Sequence, residues 1–507
     1  MDTLKSAKDV QSSVVIIFLH YNFIKNIMKT ITLNILAFLL MASVAIAQNN
    51  KSIYATMDSE NAASFQVLFP NEINILASKE NQSAVFISEE IARKIHENVR
   101  THGPGYIFMA SEEKALSALN KVQRRNTLLD YSITETTFVN ECLDLVSGQN
   151  IENDILELQS FGTRYHETTD AEDAVLNQQD KWDAMILASG RTDVSTRIYN
   201  HVNTPMPSVI LTIDGANTPD EFVIIGGHID STSWNNNDAP GADDNASGIS
   251  SLNEMVRILL EKEFVPNRTI EVMAFAAEEI GLVGSAEIAA EYASEGVNVA
   301  AYVQFDMTGY NGSNEDIWIT TDWYNSSTLN NFLTDLMDHY NTTGDHAFTY
   351  NYTECGYGCS DHASWAANGY EAAFPFEADF SESNPNIHTP NDVYSFFNTP
   401  EHSEKFTKLG LQFLIEAAKP QTLAVDDFSE NALTIFVNDN SLKYQLTNLI
   451  TSVNTISIYN IAGQEVISEK TNNQVGNVAL DRLAQGFYIV KFNLDNGRSL
   501  SKKFILE

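Results

Sequence analysis

Between about residues 132 and 420, the chain alternates segments whose apolar residues recur at helical spacing with short, continuous apolar runs. Helical spacing is clearest from Ile249 to Leu259, and it predicts further helices at 137–145, 151–159 and 172–187. The continuous runs predict strands at 208–213, 222–225, 269–276, 300–305, 317–320 and 371–376. Strands that alternate with helices are typical of a mostly parallel sheet sandwiched by helices, so we predict an α/β domain at 132–420.

The pattern changes after Pro420. Short apolar and polar positions alternate there, as in 456–460 and 486–490, and Asn496-Gly497 is a hairpin signal. This pattern predicts a small all-β sandwich domain at 424–507.

Residues 48–131 carry no chemical motif. Apolar runs predict strands at 66–69, 83–87 and 106–110, and a helix is predicted at 89–99. The basic cluster of Lys121, Arg124 and Arg125 is a candidate processing site, although such clusters are more often solvated surface. We therefore predict an N-terminal prodomain or accessory domain and leave its removal open.

The first 47 residues have the features of a targeting segment. Met28-Lys29 precedes an apolar run, which ends at Ala45-Ile46-Ala47. A basic start, an apolar middle and a small-x-small end predict a secretory signal peptide cleaved after Ala47, with Met28 as the true start. A membrane anchor is the alternative, but the apolar part is short, so we expect no stable span in the mature chain.

The 507-residue chain has a formal net charge of −37, which argues against nucleic acid as a partner because few cations are available to neutralise phosphates. Its three cysteines are too few for a disulfide scaffold. Cys355 and Cys359 are close enough to close a small loop, and a metal-binding thiol pair is the other interpretation. Cys142 has no evident partner.

Histidines and carboxylates follow the ends of several predicted strands. Taken singly, each has an ordinary explanation, such as a buried structural histidine, a charged helix start or an N-cap. Together they are harder to dismiss, because the carboxyl ends of parallel strands meet at one edge of a sheet. Imidazoles and carboxylates without thiolates suit a catalytic zinc. The residues are His228, Asp230, Asp243, Asp244, Glu278, Glu279, Asp306 and His388.

These motifs resemble the bacterial leucyl aminopeptidase family of co-catalytic di-zinc exopeptidases. The matching runs are Gly227-His228-Ile229-Asp230-Ser231, Pro240-Gly241-Ala242-Asp243-Asp244-Asn245-Ala246-Ser247-Gly248, Ala277-Glu278-Glu279-Ile280-Gly281-Leu282, Phe305-Asp306-Met307, Cys355-Gly356-Tyr357-Gly358-Cys359-Ser360-Asp361-His362 and Ile387-His388-Thr389. The resemblance covers about residues 132–400 and implies the zinc exopeptidase fold with two Zn²⁺ ions.

The resemblance also implies a role for each residue of the site. Asp244 is expected to bridge the two zinc ions, with His228 and Asp306 completing one zinc and Glu279 and His388 the other. Glu278 is expected to act as the general base and Asp230 to orient His228, while Asp243 does not align with a ligand. A water or hydroxide between the two zinc ions would be the nucleophile.

Around this centre, the resemblance implies a disulfide between Cys355 and Cys359 beside the substrate pocket. Tyr357 is a candidate donor to the oxyanion, with a simple pocket wall as the alternative. Apolar pocket positions predict a preference for large hydrophobic N-terminal residues, unless these side chains are merely core. They are Met307, Phe374, Phe376, Phe380 and Ile387.

The tail from about Ala424 resembles the C-terminal sorting domain of type IX secretion cargo, although a carbohydrate-binding β-module is an alternative. The carriers are the segments 458–466, 483–491 and 501–505. We therefore expect a secreted or cell-surface aminopeptidase, exported through the periplasm, with two partners: peptides with a free N-terminus and the secretion machinery. The alternatives are a carboxypeptidase, dipeptidase or glutaminyl cyclase on the same fold, or a non-catalytic surface binding protein.

Overall fold

The computed structural model describes residues 52–98, 102–120, 129–421, 433–438, 440–446, 453–494 and 499–506. The chain divides into two compact units, residues 1–421 and 422–507. Three sequence predictions lie outside the described residues: the signal peptide, the basic cluster at 121–125 and the Asn-Gly turn at 496–497. Among the helices of the described residues, none combines the length and the apolar character needed to cross a membrane.

The first unit begins with a four-stranded antiparallel sheet in the order β2-β3-β1-β4. The strands are β1 (Ser52–Asp58), β2 (Ile73–Lys79), β3 (Gln82–Ser88) and β4 (Ile107–Met109). The accompanying helices are α1 (Ser59–Leu68), α2 (Glu89–Asn98) and α3 (Glu112–Ala118).

The predicted strand at 66–69 is wrong, because this segment ends helix α1. Asp58 caps the helix by accepting hydrogen bonds from the backbone N–H groups of Glu60 and Asn61. Val67 and Leu68 are 80% and 67% exposed, so their apolar run faces solvent and not a sheet core. A short apolar run does not by itself separate a strand from a helix.

A six-stranded mixed sheet organises the rest of the first unit, in the order β12-β9-β7-β8-β6-β5. The four strands from β12 to β8 are parallel, and β6 and β5 are antiparallel additions at one edge. The strands are β5 (Val194–Tyr199), β6 (Ser208–Ile213), β7 (Thr218–His228), β8 (Arg268–Phe275), β9 (Asn298–Gln304) and β12 (Ala372–Ala373). The predicted α/β fold is therefore confirmed.

Helices cover both faces of this sheet. They are α4 (Thr136–Leu143), α5 (Gly148–Gln159), α6 (Thr169–Ser189), α7 (Gly248–Glu261), α8 (Val283–Glu295), α9 (Ser327–Tyr340), α10 (His362–Ala367), α11 (Tyr394–Phe397) and α12 (Glu401–Ala418). Along β7, Val223 and Ile225 enter one apolar cluster and Ile224 enters another on the opposite face. Burial on both faces explains the unbroken apolar run that predicted this strand.

The predicted strand at 371–376 is two strands in different sheets. Ala372–Ala373 forms the edge of the central sheet, whereas Pro375–Phe376 (β13) pairs with β10 (Ile317–Thr320), which also pairs with β11 (Tyr350–Thr353). Between them, the carbonyl of Phe374 accepts hydrogen bonds from the backbone and the hydroxyl of Thr320. One apolar run therefore serves two sheets, which its hydrophobicity alone does not reveal.

The second unit contains two antiparallel sheets, in the orders β14-β15-β18 and β17-β16-β19-β20. Their strands are β14 (Leu433–Asn438), β15 (Ser441–Leu446), β16 (Val453–Asn460), β17 (Glu465–Lys470), β18 (Val475–Ala479), β19 (Gly486–Leu494) and β20 (Ser499–Leu506). Residues from both sheets form one apolar core, which includes Tyr444, Ile458 and Phe492. The predicted small β-sandwich is confirmed.

Candidate metal centre and active site

Three adjacent parallel strands end at the same edge of the central sheet. β7 ends at His228, β8 leads to Glu278 and Glu279, and β9 leads to Asp306. Asp244 lies on the irregular turn Ala242–Ser247 that precedes α7. His388 lies in the loop before α11. The sheet edge therefore gathers all five predicted metal ligands.

The five side chains form two groups of three that share Asp244. In the first, His228 Nε2 lies 3.1 Å from Asp244 Oδ1 and 3.1 Å from Asp306 Oδ1. In the second, His388 Nε2 lies 3.1 Å from Asp244 Oδ2 and 3.2 Å from Glu279 Oε2. Each oxygen of the Asp244 carboxylate therefore faces a different imidazole.

The donor set fits zinc. Oxygen and nitrogen atoms bound tetrahedrally to one zinc at its usual bond lengths lie about 3.4 Å apart, close to the observed separations. Apart from the two imidazoles, neither Asp244 oxygen has a hydrogen-bond partner among the described residues, although the side chain is only 2% exposed. Buried carboxylate oxygens without a partner are costly unless a cation compensates them. The residues present therefore suit two metal ions.

Asp230 connects two of the converging loops. Its carboxylate accepts a hydrogen bond of 3.0 Å from the backbone N–H of Glu278 and one of 3.2 Å from that of Glu279. Its Oδ1 lies 3.4 Å from His228 Nδ1, and its carbonyl oxygen lies 3.1 Å from the same nitrogen. Both acceptors favour a proton on Nδ1, which leaves Nε2 free to bind a metal.

The amide of Asn245 holds three more segments together. Its Nδ2 donates to the carbonyls of His228 and Phe305, at 3.2 and 3.0 Å, and its Oδ1 accepts from the N–H groups of Gly248 and Met307. The preceding peptide bond, Asp244–Asn245, is cis. A Cβ on the neighbouring Gly227 would lie 2.4 Å from the Phe305 carbonyl oxygen, so only glycine allows this close approach.

Four non-glycine residues with positive φ adjoin the centre: Ala277, Leu282, Met307 and His388, with φ of 56°, 60°, 60° and 57°. Left-handed backbone is unfavourable for these side chains, and such residues cluster where a fold must aim functional groups. Ala277 and Met307 directly adjoin Glu278 and Asp306 in the chain, and His388 is itself a candidate ligand. The backbone N–H of Leu282 donates a hydrogen bond to the carbonyl of Glu278.

Glu278 differs from the five candidate ligands. Its side chain is fully buried, and neither oxygen has a hydrogen-bond partner among the described residues. Burial raises the pKa of Glu278 well above its usual range, against the opposing effect of His228. Burial likewise raises the pKa of Asp361 to about 7, although Gln304 donates a hydrogen bond to its Oδ2. A buried carboxyl group with a raised pKa therefore lies beside the candidate metal ligands.

The five residues predicted to line the substrate pocket pack together in one apolar cluster, which adjoins the first ligand group at Met307, next to Asp306. Cys355, Cys359 and Tyr357 pack against them, and Cys355 and Cys359 form a disulfide, which confirms the predicted pairing. Cys142 is a buried free cysteine. The pocket residues are Met307, Phe374, Phe376, Phe380 and Ile387.

A second acidic cluster, which sequence reasoning missed, supports the turn that carries Asp244. Asp392 accepts hydrogen bonds from the backbone N–H groups of both Asp243 and Asp244. The Asp243 carboxylate accepts from the Gly309 N–H and the Asn384 amide, so it faces away from the ligand atoms. Burial raises the pKa of Asp392 well above its usual range. Asp392 lies four residues after His388, but nothing in its local sequence indicates this contact.

The largest difference from the sequence prediction is His102, which the first part of the chain contributes to the centre. Its ring is fully buried, and its Nε2 lies 2.5 Å from Asp306 Oδ2. His102, Asp244 and Asp306 form a cluster capable of holding a metal ion. His102 lies in the turn-forming segment His102-Gly103-Pro104-Gly105, which carries no metal-ligand spacing, so only the tertiary contact reveals it.

Residues 208–412 match peptidase family M28, and residues 430–507 match the secretion system C-terminal sorting domain. Leucine aminopeptidase 1 of Arthroderma gypseum is 33% identical over 338 residues, which cover 63% of this chain and 87% of that protein. A probable aminopeptidase of Saccharomyces cerevisiae is 29% identical over 337 residues, with the same coverage of both chains.

Two solved structures from Legionella pneumophila are also similar. The LapA aminopeptidase superposes with a TM-score of 0.64 and 29% identity, covering 74% of this chain and 100% of LapA. LapB superposes with the same TM-score and 27% identity, covering 73% of this chain and 100% of LapB.

Proposed function

Because the chain belongs to peptidase family M28, we propose that it is a secreted zinc-dependent aminopeptidase that removes large hydrophobic residues from the free N-termini of peptides. The observation that carries this proposal is the pair of ligand groups sharing Asp244, accompanied by the buried Glu278 and by the apolar cluster around Met307. In the proposal, His228, Asp244 and Asp306 hold one zinc, and His388, Asp244 and Glu279 hold the second.

Zinc at these positions supplies Lewis acidity, which polarises the scissile carbonyl and lowers the pKa of water. Glu278 takes the proton from the attacking water and delivers it to the leaving amine. Its burial, its raised pKa and its lack of a hydrogen-bond partner among the described residues support this role. Asp230 keeps His228 in the tautomer that presents Nε2 and fixes the backbone of Glu278 through its N–H.

Substrate selection follows from charge and shape. In this proposal, the carboxylates of Glu279 and Asp306 leave negative charge that favours the ammonium group of a peptide N-terminus. The apolar walls formed by Phe374, Phe376 and Met307 favour a large hydrophobic first side chain, because its burial removes apolar surface from water. Tyr357, which packs against this pocket, is the proposed donor to the carbonyl oxygen of the scissile bond.

Export is proposed from the second unit. The match of residues 430–507 to a secretion sorting domain supports recognition of the chain by secretion machinery. The disulfide between Cys355 and Cys359 suits an oxidising compartment outside the cytoplasm.

The decisive experiment measures hydrolysis of matched peptides with free and acetylated N-termini, together with zinc per chain on the same sample. The proposal requires cleavage of the free peptides alone, release of single N-terminal residues and two zinc ions per active chain. Cleavage of the acetylated peptides, or release of C-terminal residues, would contradict it. A single zinc with cyclisation of N-terminal glutamine would instead indicate a glutaminyl cyclase.

A further inference from the structure

The tip formed by residues 102–106, between α2 and β4, enters the candidate active site. His102 lies at the bottom, fully buried, with Nε2 2.5 Å from Asp306 Oδ2 and Nδ1 3.8 Å from Asp244 Oδ2. Among the described residues, its Nδ1 has no hydrogen-bond partner. The imidazole therefore approaches Asp244 and Asp306, the two carboxylates that also lie next to His228 in the first ligand group.

The tip also contacts side chains that are proposed to bind substrate. The hydroxyl of Tyr357 donates a hydrogen bond to the carbonyl oxygen of His102. The His102 ring centre lies 5.8 Å from that of Phe376 and 6.2 Å from that of Phe374, so the imidazole packs against the apolar cluster proposed to bind the substrate side chain. The His102 carbonyl, which accepts from Tyr357, and the His102 side chain, which packs against the apolar cluster, together resemble a bound peptide.

The fit of the tip is close. Gly103 has φ of +80°, and a Cβ there would lie 2.3 Å from the carbonyl oxygen of Cys359. Only glycine combines this backbone conformation with this approach to the disulfide loop.

Contacts on β4 anchor the tip. The backbone N–H of Phe108 donates to the carbonyl of Gly281 at 2.9 Å, directly beyond the Glu278-Glu279 pair. Ile107 packs with Leu282, Tyr324 and Ala363 in a buried apolar cluster. The first sheet is therefore held on the catalytic domain by packing as well as by the tip.

We propose that residues 52–120 form a built-in inhibitor in which His102 provides an additional ligand to the zinc held by His228 and Asp306. The inference rests on the function proposed above. While the tip is in place, a substrate cannot reach Tyr357, Phe374 or Phe376. Removing this domain, or withdrawing the tip, exposes the pocket and frees the position that the imidazole occupies.

The test compares the intact wild-type chain with His102→Ala and His102→Gln, each loaded with Co²⁺ in place of zinc. Visible absorption of Co²⁺ reports the number and type of ligands independently of catalysis. Glutamine keeps much of the length and hydrogen-bonding capacity of the imidazole but is a poor ligand, so it separates blocking of the pocket from metal binding. His346→Ala is the matched control, because this histidine pairs with Asp144 at 3.1 Å instead of with a candidate ligand.

We expect the Co²⁺ spectrum to change in both His102 variants and to stay unchanged in His346→Ala. Hydrolysis of leucyl p-nitroanilide should be slow in the intact wild type. The rate should rise by about tenfold or more in His102→Ala. If the tip occupies the site in about 90% of the wild-type molecules, only about one tenth of them can bind substrate, and opening the site restores that factor. Limited proteolysis that removes the first domain should give a similar increase.

Unchanged spectra in both variants would overturn the ligand role of His102. Equal hydrolysis by the intact wild type, the His102→Ala variant and the cleaved enzyme would overturn inhibition while leaving the aminopeptidase proposal intact. If no form hydrolyses any peptide with a free N-terminus, the proposed function fails, and the Co²⁺ spectra still decide whether His102 binds the metal.

Discussion

The carboxylate of Asp230 accepts a hydrogen bond of 3.0 Å from the backbone N–H of Glu278. The same carboxylate approaches Nδ1 of His228 to 3.4 Å, so one buried side chain orients both a candidate metal ligand and the candidate general base. These groups lie at the ends of two neighbouring parallel strands. The relationship makes Asp230 a positioning residue whose effect reaches the metal and the base together.

Replacing Asp230 with asparagine should therefore weaken metal binding and slow catalysis. In this variant an amide nitrogen replaces one carboxylate oxygen. Because that nitrogen cannot accept a hydrogen bond, either a backbone N–H or the His228 ring loses its acceptor. We expect a loss of roughly 10–100-fold in zinc affinity, the usual effect of removing a partner behind a ligand. Competition with a chelator measures the affinity. Asp220→Asn, at an exposed position on β7, the strand that leads to Asp230, is the control, and equal affinities in the two variants would contradict the role of Asp230.

Replacing Glu278 with glutamine should separate catalysis from metal binding. Glutamine preserves the shape but cannot accept the water proton, so kcat should fall by roughly 10²–10⁴-fold while two zinc ions remain bound. Glu279→Gln is the matched comparison, because it should lower the zinc content as well. Steady-state kinetics and metal analysis on the same samples check both. Full activity of the Glu278→Gln enzyme would contradict the proposed mechanism.

The sequence predicted the catalytic sheet well because hydrophobicity decides strands that are buried on both faces. The run 222–225 is continuous since Val223 and Ile225 pack on one side of the sheet and Ile224 on the other. His228, Glu279 and Asp306 were expected to meet because parallel strands end at one edge of the sheet. The choice of Asp244 over Asp243 came instead from the family resemblance. The disulfide was also predicted, through the resemblance around Cys355 and Cys359.

Tertiary contacts that lack a local pattern were missed. His102 reaches the centre because β4 packs beside Gly281, and the sequence around His102 contains no pattern that predicts this packing. Asp392 acts on the backbone of Asp243 and Asp244 from a separate loop. The run at 66–69 was assigned to a strand because four residues are too few to distinguish helical spacing from strand alternation. The segment in fact contains the end of helix α1.

Replacing Asn245 with alanine should destabilise the catalytic domain. The amide supplies four hydrogen bonds among buried segments, and its loss leaves the carbonyls of His228 and Phe305 without this donor. Unsatisfied buried polar groups predict a loss of roughly 3 kcal/mol or more in the free energy of unfolding. Urea denaturation measures it, with Asn237→Ala in an exposed loop as the control. A loss no larger than in the control would show that these contacts are not structural.

Replacing His402 with glutamine should change how stability depends on pH. His402 is buried, and its Nε2–H donates to the carbonyl of Asp316 at 2.6 Å. Burial lowers its pKa to about 4, with Lys405 adding to the effect and Asp316 opposing it. Between the folded pKa and the ordinary value of 6.5, the unfolded chain binds the proton and the folded chain does not. This contribution to stability is therefore complete above pH 6.5 and is lost as the pH falls to about 4.

Glutamine at position 402 keeps a donor for the Asp316 carbonyl but does not titrate. The difference in unfolding free energy, wild type minus His402→Gln, should therefore fall by roughly 3 kcal/mol between pH 7 and pH 4. Urea denaturation of both proteins at several pH values measures this difference, in which the contributions of the other titrating groups cancel. The same substitution at the partly exposed His346 tests whether the effect requires burial. A constant difference across the pH range would mean that the imidazole of His402 takes up its proton equally well in the folded and unfolded chains.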